Sequence, residues 1–329
     1  MAVDVDALLT GLGRGERRAL ARLLTVIEDG RPEQLRRVVA TLYPQTGHAR
    51  VIGVTGSPGV GKSTLTDAAA TRLRAAGRSV AVLAVDPSSP FSGGALLGDR
   101  VRMQGHYADP GVFIRSMASR GHLGGLAFAT PQAVMVMDAA GFDDVIVETV
   151  GVGQSEVEVA ASADTTLVAI APGMGDSIQA AKAGILEVAD AFVINKADHA
   201  GAGKLESELR GMLELGHATA GEDDEVSAWW PPIVRTVAVR GEGMDEVMAV
   251  IEQHTRHLDE RGARERRVRA RAVHAIREIA LEQVRLRFAR FDRGDDPVLE
   301  ELADQVVARE LDPYAAADRL LEALEGGEA

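Results

Sequence analysis

Residues 56 to 64 read GSPGVGKST. Gly56 and Gly61, with four residues between them and Lys62-Ser63 after them, form the pattern of a phosphate-binding loop. Glycines let backbone N–H groups turn inward on phosphate oxygens, and a following helix adds the partial positive charge of its N-terminus. The candidate cradle is Gly56, Ser57, Pro58, Gly59, Val60, Gly61, Lys62, Ser63 and Thr64. The Lys62 ammonium should reach the β- and γ-phosphates, and the Ser63 hydroxyl should ligate Mg²⁺. A glycine-rich turn with no ligand is the plain alternative. The apolar run VIGVT before the loop and the helical pattern after it argue against that alternative.

A second stretch, Asn195-Lys196-Ala197-Asp198, follows the apolar run AFVI. An aspartate carboxylate can accept both N1–H and the exocyclic amine of guanine. Adenine offers no such pair and would leave a desolvated carboxylate unsatisfied. Asn195 should support the loop and the base edge, with the Lys196 stem lying over the ring. Alone, NKAD fits a helix cap equally well; after a strand and downstream of a phosphate loop, the guanine reading is the stronger. Thr236-Val237-Ala238, at the end of a later apolar run, fits the loop that closes over the base. Asp86 and Glu148 end the runs SVAVLAVD and DVIVE, where strand-end carboxylates face a ligand crevice. Asp86 equally fits a turn former before Pro87, and Glu148 an ordinary strand-end charge. Asp99 lies in the glycine-rich stretch GGALLGDR, and Gly151 is placed to donate its N–H to a γ-phosphate.

Positioning these residues requires strands that end at one edge. Between 51 and 257, β-rich apolar runs alternate with helical stretches, which indicates a mostly parallel sheet covered by helices on both faces. Expected helices include ones starting near Pro131, Lys204 and Met244. Residues 1–45 read as an N-terminal helical extension, 46–257 as the nucleotide domain and 258–329 as a C-terminal helical arm. PVLEELADQVVARELDPYAAADRLLEALE reads as one long helical stretch. The chain has 329 residues, no cysteine and a formal charge of -13. A disulfide framework and thiolate metal sites are therefore excluded, and sequence-independent nucleic-acid binding is disfavoured. The N-terminus lacks the features of a signal peptide, and no apolar run approaches a membrane span, so the expected location is the cytoplasm. Only four residues are lysine: Lys62, Lys182, Lys196 and Lys204. Arginine carries almost every other positive charge, so each lysine is worth weighing for a compact ammonium's particular uses.

The stretches GSPGVGKST, VDPSSPFSGGALLGDR, RSMASRGHLGGLA, VETVGVGQSE, PGMGDSIQAAKAGILEVAD and NKAD resemble the MeaB/ArgK family of G proteins. That family includes the protein deficient in methylmalonic aciduria type A, and an older name for its members is LAO/AO transport system kinase. The resemblance covers roughly residues 50 to 257 and implies a P-loop GTPase domain of the SIMIBI class. It implies GTP and GDP as ligands, with Mg²⁺. It also implies a chaperone role toward an adenosylcobalamin-dependent acyl-CoA mutase, by family default methylmalonyl-CoA mutase. Carried over by position, it assigns Lys62 and Ser63 to phosphate and metal. Asp86, Asp99 and Glu148 go to Mg²⁺ coordination or hydrolysis, and Asp198 to guanine. Residues 174 to 188 correspond to the family's partner-responsive switch, in which Asp176 and Lys182 match charged positions. Lys182 on a solvated helix face is the plain alternative. The family's helical arm makes a homodimer.

The common DxxG of G proteins here becomes Glu148-Thr149-Val150-Gly151, with Gln154 three residues on, so slow intrinsic turnover raised by a partner is expected. A kinase or ATPase serving Lys, Arg or Orn transport is the runner-up, opposed by the guanine-reading carboxylate. A metal-delivery GTPase is disfavoured by the ligand inventory: the chain has no cysteine, and its eight histidines are expected to form no pair at helical spacing in the nucleotide domain. Trp229-Trp230 reads as a plug over the sheet edge more readily than as a docking site. The segment 261 to 290 holds ten arginines interleaved with apolar residues, which suits a helix packed on a partner helix better than a nucleic-acid or membrane contact.

Overall fold

The computed structural model describes residues 3–87, 103–106, 108–119, 125–149, 162–173, 188–219, 229–288 and 297–325. Seven strands lie among them: β1 (Arg50–Thr55), β2 (Val80–Pro87), β3 (Val112–Ser119), β4 (Asp144–Thr149), β5 (Thr165–Ile170), β6 (Ala191–Ile194) and β7 (Ile233–Arg235). They pair in parallel in the order β3-β2-β4-β1-β5-β6-β7. The helices are α1 (Val5–Gly13), α2 (Arg17–Asp29), α3 (Pro32–Leu42), α4 (Lys62–Ala75), α5 (Gly125–Ala139), α6 (Ala202–Thr219), α7 (Met244–Glu260), α8 (Ala263–Phe288), α9 (Pro297–Val307) and α10 (Pro313–Glu325).

Every residue of DVIVET and TTLVAI is buried. Val145 and Val147 enter the core beneath α1, α2, α3 and α5, while Ile146 enters the core under α4 and α7. With both faces covered, period-two alternation demands an apolar residue at each position, hence the unbroken runs. On the far half of the sheet, Val168, Ile170, Phe192 and Ile194 pack under α6. Phe192 is fully buried, and truncating it to alanine should cost about 3–5 kcal/mol. Arg17 guards the edge strand β3. Its guanidinium donates to the carbonyls of Pro110 at 2.9 Å and Val112 at 2.6 Å, and lies over the Phe113 ring. An open strand edge is thereby blunted.

Several local expectations change. Helix α5 begins at Gly125, ahead of Pro131, which sits inside it. Buried Ala129, Ala133, Val136 and Met137 hold that helix on the sheet and outweigh the missing proline N–H. Residues 5–29 of the N-terminal extension form two helices, broken where Gly15 takes φ 74. The C-terminal stretch is also two. Arg309 turns left-handed at φ 62, and the Asp312 carboxylate accepts the N–H groups of Tyr314 and Ala315 at 2.9 and 3.1 Å to start α10. Strand β7 is only three residues long, and Ala238–Arg240 forms a 3₁₀ turn. The chain divides into two compact units, 1–271 and 272–329. In the second, α9 and α10 pack on each other.

Candidate functional site

The loop after β1 lies at the topological switch point, where β4 flanks β1 on one side and β5 on the other. Ligands of open α/β sheets bind at that edge. Gly56 has φ 133, and a Cβ there would stand 2.0 Å from the Ala169 carbonyl oxygen. Gly61 has φ 95 and caps α4, where a Cβ would meet Asn195 Nδ2 at 2.5 Å. Both positions therefore need glycine for conformation and for room. Lys62 and Ser63 open α4 and are buried. The Lys62 ammonium folds back to donate to the carbonyls of Gly56 at 2.7 Å and Ser57 at 3.0 Å, across the mouth of the loop.

The Ser63 hydroxyl donates to Glu148 Oε1 at 2.6 Å, with both residues buried. This joins the start of α4 to the end of β4. One rung away, Thr149 donates to Thr55 at 3.0 Å and ties the ends of β4 and β1. A hydroxyl and a carboxylate oxygen side by side are hard donors that fit Mg²⁺, which keeps waters and phosphate oxygens for its other positions. The described residues hold no group of three or more His, Asp or Glu that could cage a metal by itself.

Asn195 is buried and bridges three loops. Its Nδ2 donates to the Val60 carbonyl at 2.9 Å. Its Oδ1 accepts from Thr236 Oγ1 at 3.2 Å and from the Ala238 N–H at 3.1 Å. Lys196 adopts φ 55 and donates to the Gly59 carbonyl at 2.7 Å. The Ala197 N–H reaches the Thr236 carbonyl at 3.0 Å. The NKAD stretch and Thr236-Val237-Ala238 thus lean on Gly59 and Val60 of the phosphate loop. Asp198 is exposed beside them. Asp86 lies one residue before the end of β2, but its side chain lies outside the described residues, as do Asp99, Gly151, Gln154, Asp176 and Lys182.

Two groups escaped the sequence reading. Arg240 follows the 236–238 loop, and its NH1 lies 3.4 Å from Asp198 Oδ2. The second group lies at the opposite edge of the sheet. Asp144, Asp164 and Asp190 stand at or just before the starts of β4, β5 and β6. Asp144 pairs with Arg50 and Arg78; Asp164 pairs with Arg271, and Asp190 with Arg267 and His254. Burial pushes the Asp190 carboxyl up, but the neighbouring His254 and the two hydrogen bonds from Arg267 outweigh it and hold the carboxyl below its ordinary range. The available signal was an aspartate leading each apolar run: DDVIVE, ADTTLVAI and ADAFVIN. His254 and His257, three apart on α7, correct the expectation of no histidine pair at helical spacing. Both rings meet Trp229 at tilted angles, and its indole N–H donates to the Asp190 carbonyl at 2.7 Å, which ties that tryptophan to this edge.

The family profile of methylmalonyl-CoA mutase-associated GTPase MeaB matches residues 20–291. A putative GTPase of Pyrococcus abyssi is 45% identical, covering 98% of each chain. The mouse protein named methylmalonic aciduria type A homolog, mitochondrial, is 33% identical over 97% of this chain and 79% of its own length. A crystal structure of an LAO/AO transport system kinase superposes with a TM-score of 0.70 at 29% identity, covering 99% of each chain. No helix among the described residues is long and apolar enough to cross a membrane. With a strand, glycine loop and helix assembled at the switch point of a parallel sheet, a match of this length has one reading: the chain belongs to the MeaB family of methylmalonyl-CoA mutase-associated GTPases, P-loop enzymes that take guanine nucleotides.

Proposed function

We propose that the protein is a Mg²⁺-dependent GTPase that acts as a chaperone for an adenosylcobalamin-dependent acyl-CoA mutase, methylmalonyl-CoA mutase foremost. Its GTP cycle would gate cofactor loading and protect the mutase in the cytoplasm. The observation that carries the reading is the family match across residues 20–291. The mouse relative's name points to the same metabolic disorder that the sequence resemblance raised.

In this reading GTP lies with its phosphates against Gly56–Thr64. Lys62 supplies a point charge that leans from the Gly56 and Ser57 carbonyls toward the β- and γ-phosphates. Ser63 and Glu148, with Asp86 and Asp99, hold Mg²⁺ or its waters. When bound, that ion neutralises charge on the phosphate oxygens. Asp198 reads guanine. Asn195 keeps the base loop and phosphate loop in register, and the Lys196 stem covers the ring. Gly151 senses the γ-phosphate, and Asp176 and Lys182 report its presence to the mutase. The exposed Val273 and Ile276 of α8 offer the apolar seam of a homodimer.

The test is GTP hydrolysis by the purified protein, alone and with a stoichiometric mutase, with ATP as control. Slow, GTP-only turnover that the mutase accelerates is expected, and it should stop on chelation of Mg²⁺. Indifference to the mutase would overturn the chaperone role. The LAO/AO kinase likeness favours a second reading, a kinase serving amino-acid transport, which ATP turnover equal to GTP would revive. For the dimer, light scattering on Ile276→Glu should give a monomer where the parent gives a dimer.

A further inference from the structure

Asp198 is a short side chain in an exposed loop, yet reading guanine needs both of its oxygens aimed at one edge of the base. A free carboxylate must lose rotational freedom to do so, and that loss weakens discrimination. Within the described structure a second side chain is placed to hold it. The Arg240 guanidinium lies with NH1 3.4 Å from Asp198 Oδ2. Its other side is anchored: Nε donates to Glu242 Oε1 at 2.7 Å.

The backbone fixes that anchor in turn. Val237 and Glu242 pair as an isolated antiparallel bridge, with the Val237 N–H donating to the Glu242 carbonyl at 3.1 Å. Between them Ala238–Arg240 makes a 3₁₀ turn, and Gly241 and Gly243 take φ 71 and 75. A Cβ at Gly243 would stand 2.1 Å from the Arg235 carbonyl oxygen, so the end of the turn packs directly on the end of β7 with no room for a side chain. The same turn carries the Ala238 N–H bonded to Asn195. Arg240 is thus mounted on the element that closes the base site and pointed at the carboxylate that reads the base.

We propose that Arg240 is a specificity-determining positioning residue: it orients the Asp198 carboxylate so that both oxygens engage guanine. The proposal rests on the assignment of Asp198 to the base. A carboxylate has about four lone-pair sites, so one oxygen can accept from Arg240 and from the base together. Arg240 need not leave when nucleotide enters. Glu242 keeps the guanidinium fork from rotating, and a fork in fixed geometry is what a lysine would not supply.

The test compares GTP with ITP, which lacks the exocyclic amine and so engages one carboxylate oxygen. Affinities of the full-length protein for both are measured by calorimetry in the parent, Arg240→Ala, Arg240→Lys and Asp198→Asn. Arg240→Ala should narrow the GTP-over-ITP ratio by about two- to fivefold, the scale of an exposed ion pair. Arg240→Lys should restore the charge but only part of the ratio. Loss of the positive charge by itself would weaken both nucleotides equally. An unchanged ratio in Arg240→Ala, with Asp198→Asn abolishing the preference, would overturn the role of Arg240 alone. An unchanged ratio in Asp198→Asn would overturn the base assignment beneath it.

Discussion

At the carboxyl ends of the strands, Glu148 faces the Ser63 hydroxyl and Lys62 leans on backbone carbonyls, which are neutral partners. At the amino ends, Asp144, Asp164 and Asp190 each meet arginine, and two of them also accept backbone N–H groups. Val51 donates to Asp164 and Thr166 to Asp190, at 2.9 and 2.8 Å. Both edges gather charge at strand termini. One edge matches each charge internally and so has little left to offer a ligand. At the other, Lys62 and Glu148 make hydrogen bonds to uncharged groups beside the glycine loop. A buried carboxylate matched by arginine within the protein serves stability, while charged groups beside a glycine loop at the carboxyl ends of parallel strands stand where ligands of such sheets bind.

The sharpest break in that comparison is Lys62→Ala. Single-turnover GTP hydrolysis should fall about 10²–10³-fold, the scale of losing one charge-stabilising donor in a transition state. The urea midpoint should barely move, and a large loss of stability would erase the contrast. Asp190→Ala is the mirror test. It strips Arg267 and His254 of a partner, and because Arg267 is partly exposed, the cost should be about 2–4 kcal/mol in urea unfolding. Turnover per folded molecule should stay at the parent level; a fall would mean that the two edges are coupled.

A smaller effect lies in pH. The Asp190 carboxyl is depressed in the folded state, so its contribution is complete above the unfolded value near 3.8 and is lost as pH falls through the lower folded value. Acid titration of stability should therefore be shallower in Asp190→Asn than in the parent below about pH 4. Equal slopes would mean that His254 and Arg267 do not hold the carboxylate as the geometry requires. Smallest of all is Lys204→Ala. This exposed lysine sits 3.6 Å from Glu208 one helical turn away and belongs to neither edge. Neither turnover nor stability should shift beyond about 0.5 kcal/mol.

The alternation of strands and helices along the chain was legible because each buried strand must be apolar at every position. That periodicity survives without knowledge of neighbours. Where propensity met packing, local reading failed: Pro131 inside α5 is a case of tertiary burial outweighing a missing hydrogen bond. The phosphate loop was legible for a different reason. Gly56 and Gly61 are forced by conformations and contacts that reject a Cβ, and so leave a fixed spacing in the chain.

Sequence alone therefore determined the alternating architecture, the glycine loop between β1 and α4, and the family of guanine-nucleotide enzymes, because each is encoded by residues close together in the chain. Tertiary structure decided the rest. Ser63 and Glu148 are 85 positions apart, Asn195 and Val60 135, Arg240 and Asp198 on separate loops. Asp190 meets Arg267 across 77. Which carboxylate faces an arginine and which a hydroxyl follows from the strand order, and only folding brings those partners within hydrogen-bond reach.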